Sequence, residues 1–343
     1  MLQSIARAGE WFLASGIQEL SGGVARYYRT DLERNAPVST EITGYTASAL
    51  TFLHSQTGDT RYLDRARAAA RFLADTWRTA GGAMPFELTT PAFAYFFDSG
   101  IIVRGLLAVW RATGDAGLLE TAAAIGRHMA ADHGAADGFH PILSLPSKEP
   151  IARDVLRWSA SPGCYQLKSA MAWLELACAT SDASFREHYD RVLDASLASY
   201  AGFLPGHPDR LRVMDRLHAF SYFLEGLLPC AADARCRAAL ADGINRLSQH
   251  LRSIAPDFER SDVYAQLLRV RILADRCGAV AIDRASGQRE AARLAEFQAS
   301  DGGWNFGFQS GEWLPYRNPV STAFAVQALA LWDGAAGSAT DLI

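Results

Sequence analysis

Two carboxylates precede apolar segments in the same way along this chain. Glu41 lies in "STEITGY" and Asp98 lies in "YFFDSG", and a glycine follows each carboxylate within three residues. Two carboxyl groups that face one cavity can act as an acid and a base. Ser39 and Thr40 already supply hydroxyls that can cap a helix, so Glu41 is available for another role. We therefore predict Glu41 and Asp98 as catalytic residues.

A histidine in an otherwise apolar segment is a further candidate. His218 lies in "DRLHAFSYFLEGLL", with Asp215 one helical turn before it at the predicted entry of the helix. A carboxylate at this spacing can orient an imidazole and raise its basicity. We predict that both residues are catalytic, although a lone histidine on such a helix is often only a core residue.

Aromatic and charged side chains are concentrated in three long loops and at the starts of apolar segments. Loops of about 20 residues inside a compact domain are usually functional or disordered, and this many aromatic rings argues against disorder. Aromatic faces beside charged groups can stack on a sugar and bond its hydroxyls. The predicted substrate-binding residues are Tyr45, Tyr95, Trp158, Arg157, Tyr165, Lys168, Tyr264, Trp304, Glu312, Trp313, Tyr316, Arg317 and Asn318.

The segments that carry these residues repeat a single plan. Residues 41–73 and 98–129 both contain an apolar helix, the triplet "TGD" and an amphipathic helix. Three further hairpins start at Cys164, Leu217 and Ser261. A helix that is apolar all round is buried and a one-sided helix lies at the surface, so inner and outer helices should alternate.

Two unpaired helices complete the pattern. Residues 1–16 form an outer-type helix without an inner partner, and residues 319–334 form an inner-type helix without an outer partner. If these two helices pack together, six hairpins close into a ring. We predict an all-α fold, an (α/α)6 toroid closed by its N- and C-terminal helices, with residues 1–343 as a single domain. Only "GGVARYYRT" and "GFHPILSL" suggest short strands.

Composition limits the partners and the compartment. The 343 residues are 49% hydrophobic and 20% charged, with a net charge of −4. Without a basic run, a signal peptide or a long apolar segment, we expect no nucleic acid partner, no membrane span and a cytoplasmic protein. The five cysteines lack metal-type spacing, and we interpret Cys164, Cys178 and Cys277 as buried. No motif indicates a metal or another cofactor, so none is expected, and the oligomeric state stays open.

Three stretches resemble a known group of proteins. Residues 41–73, 97–115 and 297–332 are similar to the six-hairpin, glycosidase-like toroid proteins found in bacterial polysaccharide gene contexts. That resemblance covers nearly the whole chain, and it implies carbohydrate chemistry by hydrolysis, elimination or epimerisation. "QASDGGW" at 298–304 also resembles the repeat of the terpenoid cyclases, but the chain has neither DxDD nor DDxxD.

Three hypotheses of function follow. The first is a carbohydrate-active enzyme acting on a poly- or oligosaccharide, either a hydrolase that uses Glu41 and Asp98, with Glu312 in reserve, or a lyase or epimerase. The lyase or epimerase would take its base from His218, Tyr45, Tyr165 or Tyr264, and would neutralise a substrate carboxylate with Arg157, Lys168 or Arg317. The second is a non-catalytic glycan-binding protein of a polysaccharide assembly system. The third is a terpenoid-cyclase-like enzyme. Glu41 and Asp98 facing one cavity would favour an enzyme.

Overall fold

The computed structural model describes residues 2–88, 92–154, 156–255 and 257–343, and these residues form twelve α-helices. In chain order, the helices are α1 (Leu2–Ala14), α2 (Thr40–Thr57), α3 (Thr60–Thr79), α4 (Phe96–Thr113), α5 (Ala116–Asp132), α6 (Gln166–Thr180), α7 (Ala183–Ser199), α8 (Arg210–Leu227), α9 (Ala234–Ile254), α10 (Ser261–Arg276), α11 (Arg284–Glu296) and α12 (Pro319–Trp332).

The repeated "TGD" triplet is the turn of a helical hairpin. α2 ends at Thr57, Gly58 adopts the left-handed conformation at φ 72°, and the Asp59 side chain accepts a hydrogen bond from the Arg61 amide to cap α3. Residues 113–115 repeat this arrangement between α4 and α5. The glycine is needed because a left-handed residue ends a helix with little strain only when it lacks a Cβ. The aspartate starts the next helix because its oxygen satisfies a free backbone amide.

Even-numbered helices form the inner ring and odd-numbered helices form the outer ring. Every residue of α10 from Ser261 to Ala274 is buried, whereas α3 is buried along one face. Each inner helix contacts the next around the ring, and α12 contacts both α2 and α1. The last inner helix therefore packs against the first helices of the chain. The prediction of an (α/α)6 toroid closed by its terminal helices is confirmed.

Two local predictions differ from the structure. α8 begins at Arg210 rather than near Asp215, because Asp209 caps it by accepting a hydrogen bond from the Leu211 amide. His218 consequently lies in the third turn of α8 and not at its entry. Cys178 and Cys277 are exposed near the ends of their helices, so only Cys164 of the three is buried as predicted.

Short antiparallel strands lie mainly on the loops that lead into the inner helices. Their bounds are β1 (Val24–Ala25), β2 (Tyr28–Arg29), β3 (Arg34–Asn35), β4 (Val38–Ser39), β5 (Phe93–Tyr95), β6 (Gly134–Ala135), β7 (Gly138–Phe139), β8 (Ile142–Ser144), β9 (Glu149–Pro150), β10 (Phe258–Arg260), β11 (Gly307–Gln309), β12 (Glu312–Trp313) and β13 (Tyr316–Arg317). The strand orders are β1-β4, β13-β2-β3, β5-β8-β9, β6-β7 and β10-β11-β12. Tyr316 pairs with Arg29 and Arg317 pairs with Tyr28, so β13 and β2 join the two ends of the chain.

A layer of buried ions fills the ring below the N-terminal ends of its inner helices. Glu225 is fully buried, lies 2.9 Å from Lys168 Nζ and accepts a hydrogen bond from Arg269. Lys168 and Arg269 both donate to the backbone oxygen of Ile343, which places the segment after α12 against this layer. Burial lowers the pKa of Lys168 to about 7, although the Glu225 carboxylate opposes the shift. A buried charge needs such partners because its hydration is lost.

No helix within the described residues is long and apolar enough to cross a membrane.

Candidate active site

A cavity of about 1080 Å³ opens at the N-terminal ends of the inner helices. Side chains from α2, α4 and α8 line it, together with residues of the loops that carry the short strands. Small-molecule sites in proteins usually occupy several hundred to about 1000 Å³, so this cavity has room for a ligand of that class.

Glu41 and Asp98 lie on one wall of this cavity because α2 and α4 approach each other closely. A Cβ on Gly105 would stand 2.5 Å from the backbone oxygen of Gly44, so the two helices touch through their glycines. Ser39, and not Glu41, caps α2 by accepting from the Ile42 amide. The Glu41 side chain is therefore left to face the cavity beside Asp98.

The two carboxyl groups hold protons more tightly than ordinary carboxylates. Burial raises the pKa of Glu41 to about 7, and the positive charge of Arg26 opposes that shift. Burial, and then the negative charge of Glu41, raise the pKa of Asp98. Asp98 Oδ2 has no hydrogen-bond partner among the described residues. Two carboxyl groups in such a site titrate together, and the pair retains a proton near neutral pH. It can therefore act as a proton donor.

His218 presents an unprotonated nitrogen to the cavity. Its Nδ1 lies 2.8 Å from Gln266 Oε1 and 3.3 Å from Asp262 Oδ2. Because a carboxylate only accepts hydrogen bonds, the ring proton belongs on Nδ1 and Nε2 keeps its lone pair. Burial lowers the pKa of His218, although the charge of Asp262 opposes that change, so the imidazole is neutral near pH 7. His218 lines the cavity, where Nε2 can act as a base.

Arg260 holds the carboxylate that orients His218. Its Nε donates to Asp262 Oδ1 at 3.0 Å, and its Nη1 donates to Asp215 Oδ1 at 2.6 Å. Burial acts to raise the pKa of Asp262, but the positive charge of Arg260 outweighs it and the pKa of Asp262 is lowered. We predicted that Asp215 would orient the imidazole. In the structure, Asp262 and Gln266 of α10 lie beside His218 Nδ1 and orient the ring. Asp215 accepts a hydrogen bond from Arg260 instead.

The acid pair and the imidazole lie on opposite walls. The inner helices follow one another in chain order around the ring, so α8 faces α2 and α10 faces α4. One turn below Glu41 and His218, Tyr45 and Tyr222 lie near each other, and both are buried. The Tyr222 ring also packs 4.5 Å from that of Phe97. These rings form the floor of the cavity.

Six of the predicted substrate-binding residues line the cavity. They are Tyr95, Arg157, Trp158, Tyr165, Tyr316 and Asn318. The Trp158 and Tyr165 rings pack edge to face at 5.0 Å. Asn318 also caps α12, since its Oδ1 accepts hydrogen bonds from two backbone amides.

The other seven predicted substrate-binding residues lie outside the cavity wall. They are Tyr45, Lys168, Tyr264, Trp304, Glu312, Trp313 and Arg317. Tyr45 is a buried part of the floor, and Lys168 belongs to the buried ion layer around Glu225.

The remaining five are held away from the cavity, three by side-chain hydrogen bonds and two in a short strand. Tyr264 donates to Glu259, and the buried Trp304 donates to the Leu294 oxygen. Arg317 bonds Asp301 and Asn305. Glu312 and Trp313 form the exposed strand β12.

Several cavity residues were not among the predicted site residues. Arg26, Tyr222 and Arg260 all line the cavity. Tyr222 follows His218 by four residues on α8, so the helical period alone places both on one face. Arg26 lies in a strand-bearing loop, where no periodic signal exists. Within the described residues, no three His, Cys, Asp or Glu side chains are grouped so that they could hold a metal ion.

Comparisons with known proteins find similarity at the level of structure. No protein-family model and no curated protein matches the sequence. A sugar epimerase from a ruminal bacterium superposes with a TM-score of 0.72 at 12% identity, over 98% of this chain and 100% of that one. A D-mannose isomerase gives a TM-score of 0.70 at 9% identity, over 96% and 95% of the two chains. Cellobiose 2-epimerase from Spirochaeta thermophila DSM 6192 gives 0.67 at 12% identity, over 96% and 97%. The chain therefore has the toroid fold of these proteins, built from the same six helical hairpins.

Proposed function

We propose that this chain is a carbohydrate-active enzyme that carries out acid–base chemistry on a sugar inside the toroid. One observation carries the proposal: a proton-bearing carboxyl pair, Glu41 and Asp98, lies across a single cavity from the neutral imidazole of His218. Ionisable groups whose surroundings shift their pKa values in opposite directions, such as a carboxyl group raised and an imidazole lowered, are typical of catalytic acids and bases.

The ligand class is supported by the cavity wall and by the structural neighbours. Tyr95, Trp158 and Tyr316 present aromatic rings beside polar groups, which suits the apolar faces and hydroxyls of a sugar. The three structures described above are a sugar epimerase, a mannose isomerase and a cellobiose epimerase. That three similar folds belong to sugar-converting enzymes supports a sugar as the ligand class of this chain.

Proton transfer next to a carbonyl group fits an acid and a base on opposite walls. His218 Nε2 would take the proton from the carbon beside the aldehyde of an open-chain sugar. The electrons of that C–H bond would form a C=C bond, while the carbonyl oxygen takes a proton from the Glu41–Asp98 pair. Return of the proton to the former carbonyl carbon of this enediol completes an isomerisation, and delivery of a proton to the opposite face of the original carbon completes an epimerisation. The carboxyl pair regains its proton in the same step.

Hydrolysis of a glycosidic bond is the second candidate. It is favoured by the raised pKa of Glu41 beside a second carboxyl group, since glycosidases use one protonated and one ionised carboxyl group. A purely glycan-binding protein does not need these raised pKa values. A terpenoid cyclase needs an Asp-rich motif that the chain lacks.

One experiment separates the candidates. Wild type, Glu41→Gln and His218→Gln are incubated in D2O with a panel of mono- and oligosaccharides, with Glu187→Gln on the exposed face of α7 as the matched control. Deuterium at the carbon next to the carbonyl, followed by proton NMR, reports proton transfer. New reducing ends report hydrolysis.

We expect deuterium incorporation by the wild type and the control, and at least about a hundredfold loss of rate in both site variants. New reducing ends that require Glu41 would instead establish the second candidate. If no sugar changes with the wild type, or if the site variants keep full activity, the proposal fails.

A further inference from the structure

Arg216 is a buried cation without an acidic partner. It lies on α8 with 8% of its surface exposed, and its guanidinium lies 4.3 Å over the ring of Phe203. Its Nε donates to the Phe203 oxygen at 3.0 Å, while Nη1 has no partner among the described residues. Every Asp and Glu of the chain is described, and none lies within 4 Å of its nitrogens. Burying a charge without a counterion costs free energy, which an anion in the cavity would offset.

The chain around Arg216 is shaped to hold its guanidinium at the cavity wall. Gly206 has φ 60°, and a Cβ there would stand 2.4 Å from both Nε and Nη2 of Arg216. The loop before α8 therefore wraps closely around the guanidinium, and only a glycine leaves room for it. Nη2 makes no hydrogen bond and, unlike Nη1, is not fully enclosed by protein atoms. Arg216 also lines the cavity.

Two more donors accompany Arg216 on the same side. Arg212 lies one helical turn earlier on α8 and is largely exposed at the cavity, with its nearest carboxylate 3.7 Å away on Asp209. His207 Nδ1 accepts a hydrogen bond from the Asp209 amide at 2.9 Å, so the ring proton lies on Nε2. His207 also lines the cavity, and its Nε2–H is available to an acceptor.

The carboxylates of the cavity do not cancel this positive charge. Glu41 and Asp98 retain a proton between them, and Asp215 accepts a hydrogen bond from Arg260. Asp154 accepts hydrogen bonds from the backbone amides of residues 156 and 157. The α8 side of the cavity is therefore the place where an anion is stabilised.

We propose that the sugar bound in this cavity is anionic, and that Arg216, with Arg212 and His207, binds its carboxylate or phosphate group. Arg216 Nη2 can donate a charge-assisted hydrogen bond to either oxyanion, and Arg212 and His207 supply further donors. This inference rests on the proposed function, to which it adds the chemical class of the substrate. It assigns Arg216 a binding role and leaves proton transfer to His218 and the carboxyl pair.

Binding measurements test the inference without requiring turnover. Calorimetry compares D-glucuronate, D-galacturonate and D-glucose 6-phosphate with the neutral parents D-glucose and D-galactose, at low and at high salt. The proteins are wild type, Arg216→Met, Arg212→Gln and the control Arg252→Gln, which removes an exposed arginine of α9. The ratio of acidic to neutral affinity is the readout, because damage to the fold weakens both classes of ligand alike.

In the wild type we expect acidic sugars to bind at least about tenfold more tightly than neutral ones, with a preference that salt weakens. Arg216→Met and Arg212→Gln should each reduce this ratio several-fold, and Arg252→Gln should keep it. Preference for the uronates identifies a carboxylate, and preference for the 6-phosphate identifies a phosphate.

Three outcomes overturn the inference: equal affinity for acidic and neutral sugars, no binding of either class, or an unchanged ratio in Arg212→Gln and in a folded Arg216→Met. If Arg216→Met does not fold, the exposed Arg212 carries the test alone. Turnover of neutral sugars without an acidic preference would refute this inference while leaving the proposed enzyme in place.

Discussion

Gly105 of α4 packs against the backbone of Gly44 of α2, and this contact sets Asp98 beside Glu41. A Cβ on Gly105 would lie 2.5 Å from the Gly44 oxygen and 2.9 Å from its Cα. Contacts this short do not occur between real atoms, so a larger residue must separate the helices. Gly44 of the first repeat and Gly105 of the second thus determine how close the two carboxyl groups lie.

Gly105→Ala is therefore expected to separate α2 from α4. We expect a loss of about 1–3 kcal/mol in the free energy of unfolding, measured with urea, because overpacking a core forces backbone shifts. The pKa of Asp98 should move down towards its ordinary value as Glu41 moves away. Gly202→Ala, where a Cβ has nothing within 4 Å, is the matched control. A Gly105→Ala protein as stable as the wild type would contradict the close packing.

The stability of the protein should fall as the pH rises through the titration of Glu41. The pKa of this carboxyl is about 7 in the folded chain, against 4.5 for an ordinary glutamate. Between these values the folded state binds more protons than the unfolded state, so the free energy of unfolding decreases with increasing pH.

Glu41→Gln removes this titration. We expect the variant to be more stable than the wild type by about 3 kcal/mol at pH 8 and nearly equal to it at pH 4.5. Urea unfolding at both pH values measures the difference, with Glu187→Gln as the control. The same difference at both pH values would show that Glu41 has an ordinary pKa.

Gln266 should act on catalysis through His218. Gln266→Leu removes the oxygen that lies 2.8 Å from His218 Nδ1 and leaves Asp262 at 3.3 Å as the remaining acceptor. We expect kcat to fall about tenfold or more while KM changes little, because the tautomer and ring orientation are less well fixed. Nitrogen-15 NMR should find the His218 proton on Nδ1 in the wild type and a mixture of tautomers in the variant. Gln56→Leu, on an exposed face of α2, is the control, and a wild-type proton on Nε2 would refute the assignment.

Within the buried ion layer, replacing Glu225 should lower the free energy of unfolding more than replacing any other single residue. Glu225→Gln leaves Lys168 and Arg269 buried without a carboxylate, and we expect a loss of about 3–5 kcal/mol in urea unfolding. Lys168→Met should cost less, because Arg269 still neutralises Glu225. A loss below about 1 kcal/mol in Glu225→Gln would mean that the two cations find other partners.

The sequence predicted the ring well because its signals are local and repeated. "TGD" encodes a helix end, a left-handed glycine and a helix cap within three residues, and the alternation of apolar and amphipathic helices follows from burial alone. Glu41 and Asp98 could be identified as cavity residues because each lies in the first turn of an inner helix, whereas His218, predicted at a helix entry, lines the cavity from the third turn of α8.

The remainder of the site depends on contacts between distant segments. Asp262 reaches His218 from the neighbouring helix α10, and Arg260 of β10 binds Asp262, at distances that no spacing in the sequence reveals. The loop aromatics divide between cavity and surface according to strand pairing, such as Tyr316 with Arg29. Trp304 was predicted to bind substrate, yet its indole N–H donates to the Leu294 oxygen in the core. Arg216 was missed as a site residue because its lack of a counterion is evident only in three dimensions.

The tyrosine floor and the ion layer beneath it close the central cavity of the toroid on one side, so no open channel runs through the ring. Tyr45 and Tyr222 meet from facing helices, and the side chains of Lys168, Glu225 and Arg269 below them are wholly enclosed. A long polymer cannot pass through a cavity that is closed on one side. An oligosaccharide would therefore have to enter with one end first and leave through the same opening. The unit that is transformed would then be the terminal residue of the chain, with the remaining units extending outwards past Trp158 and Tyr316.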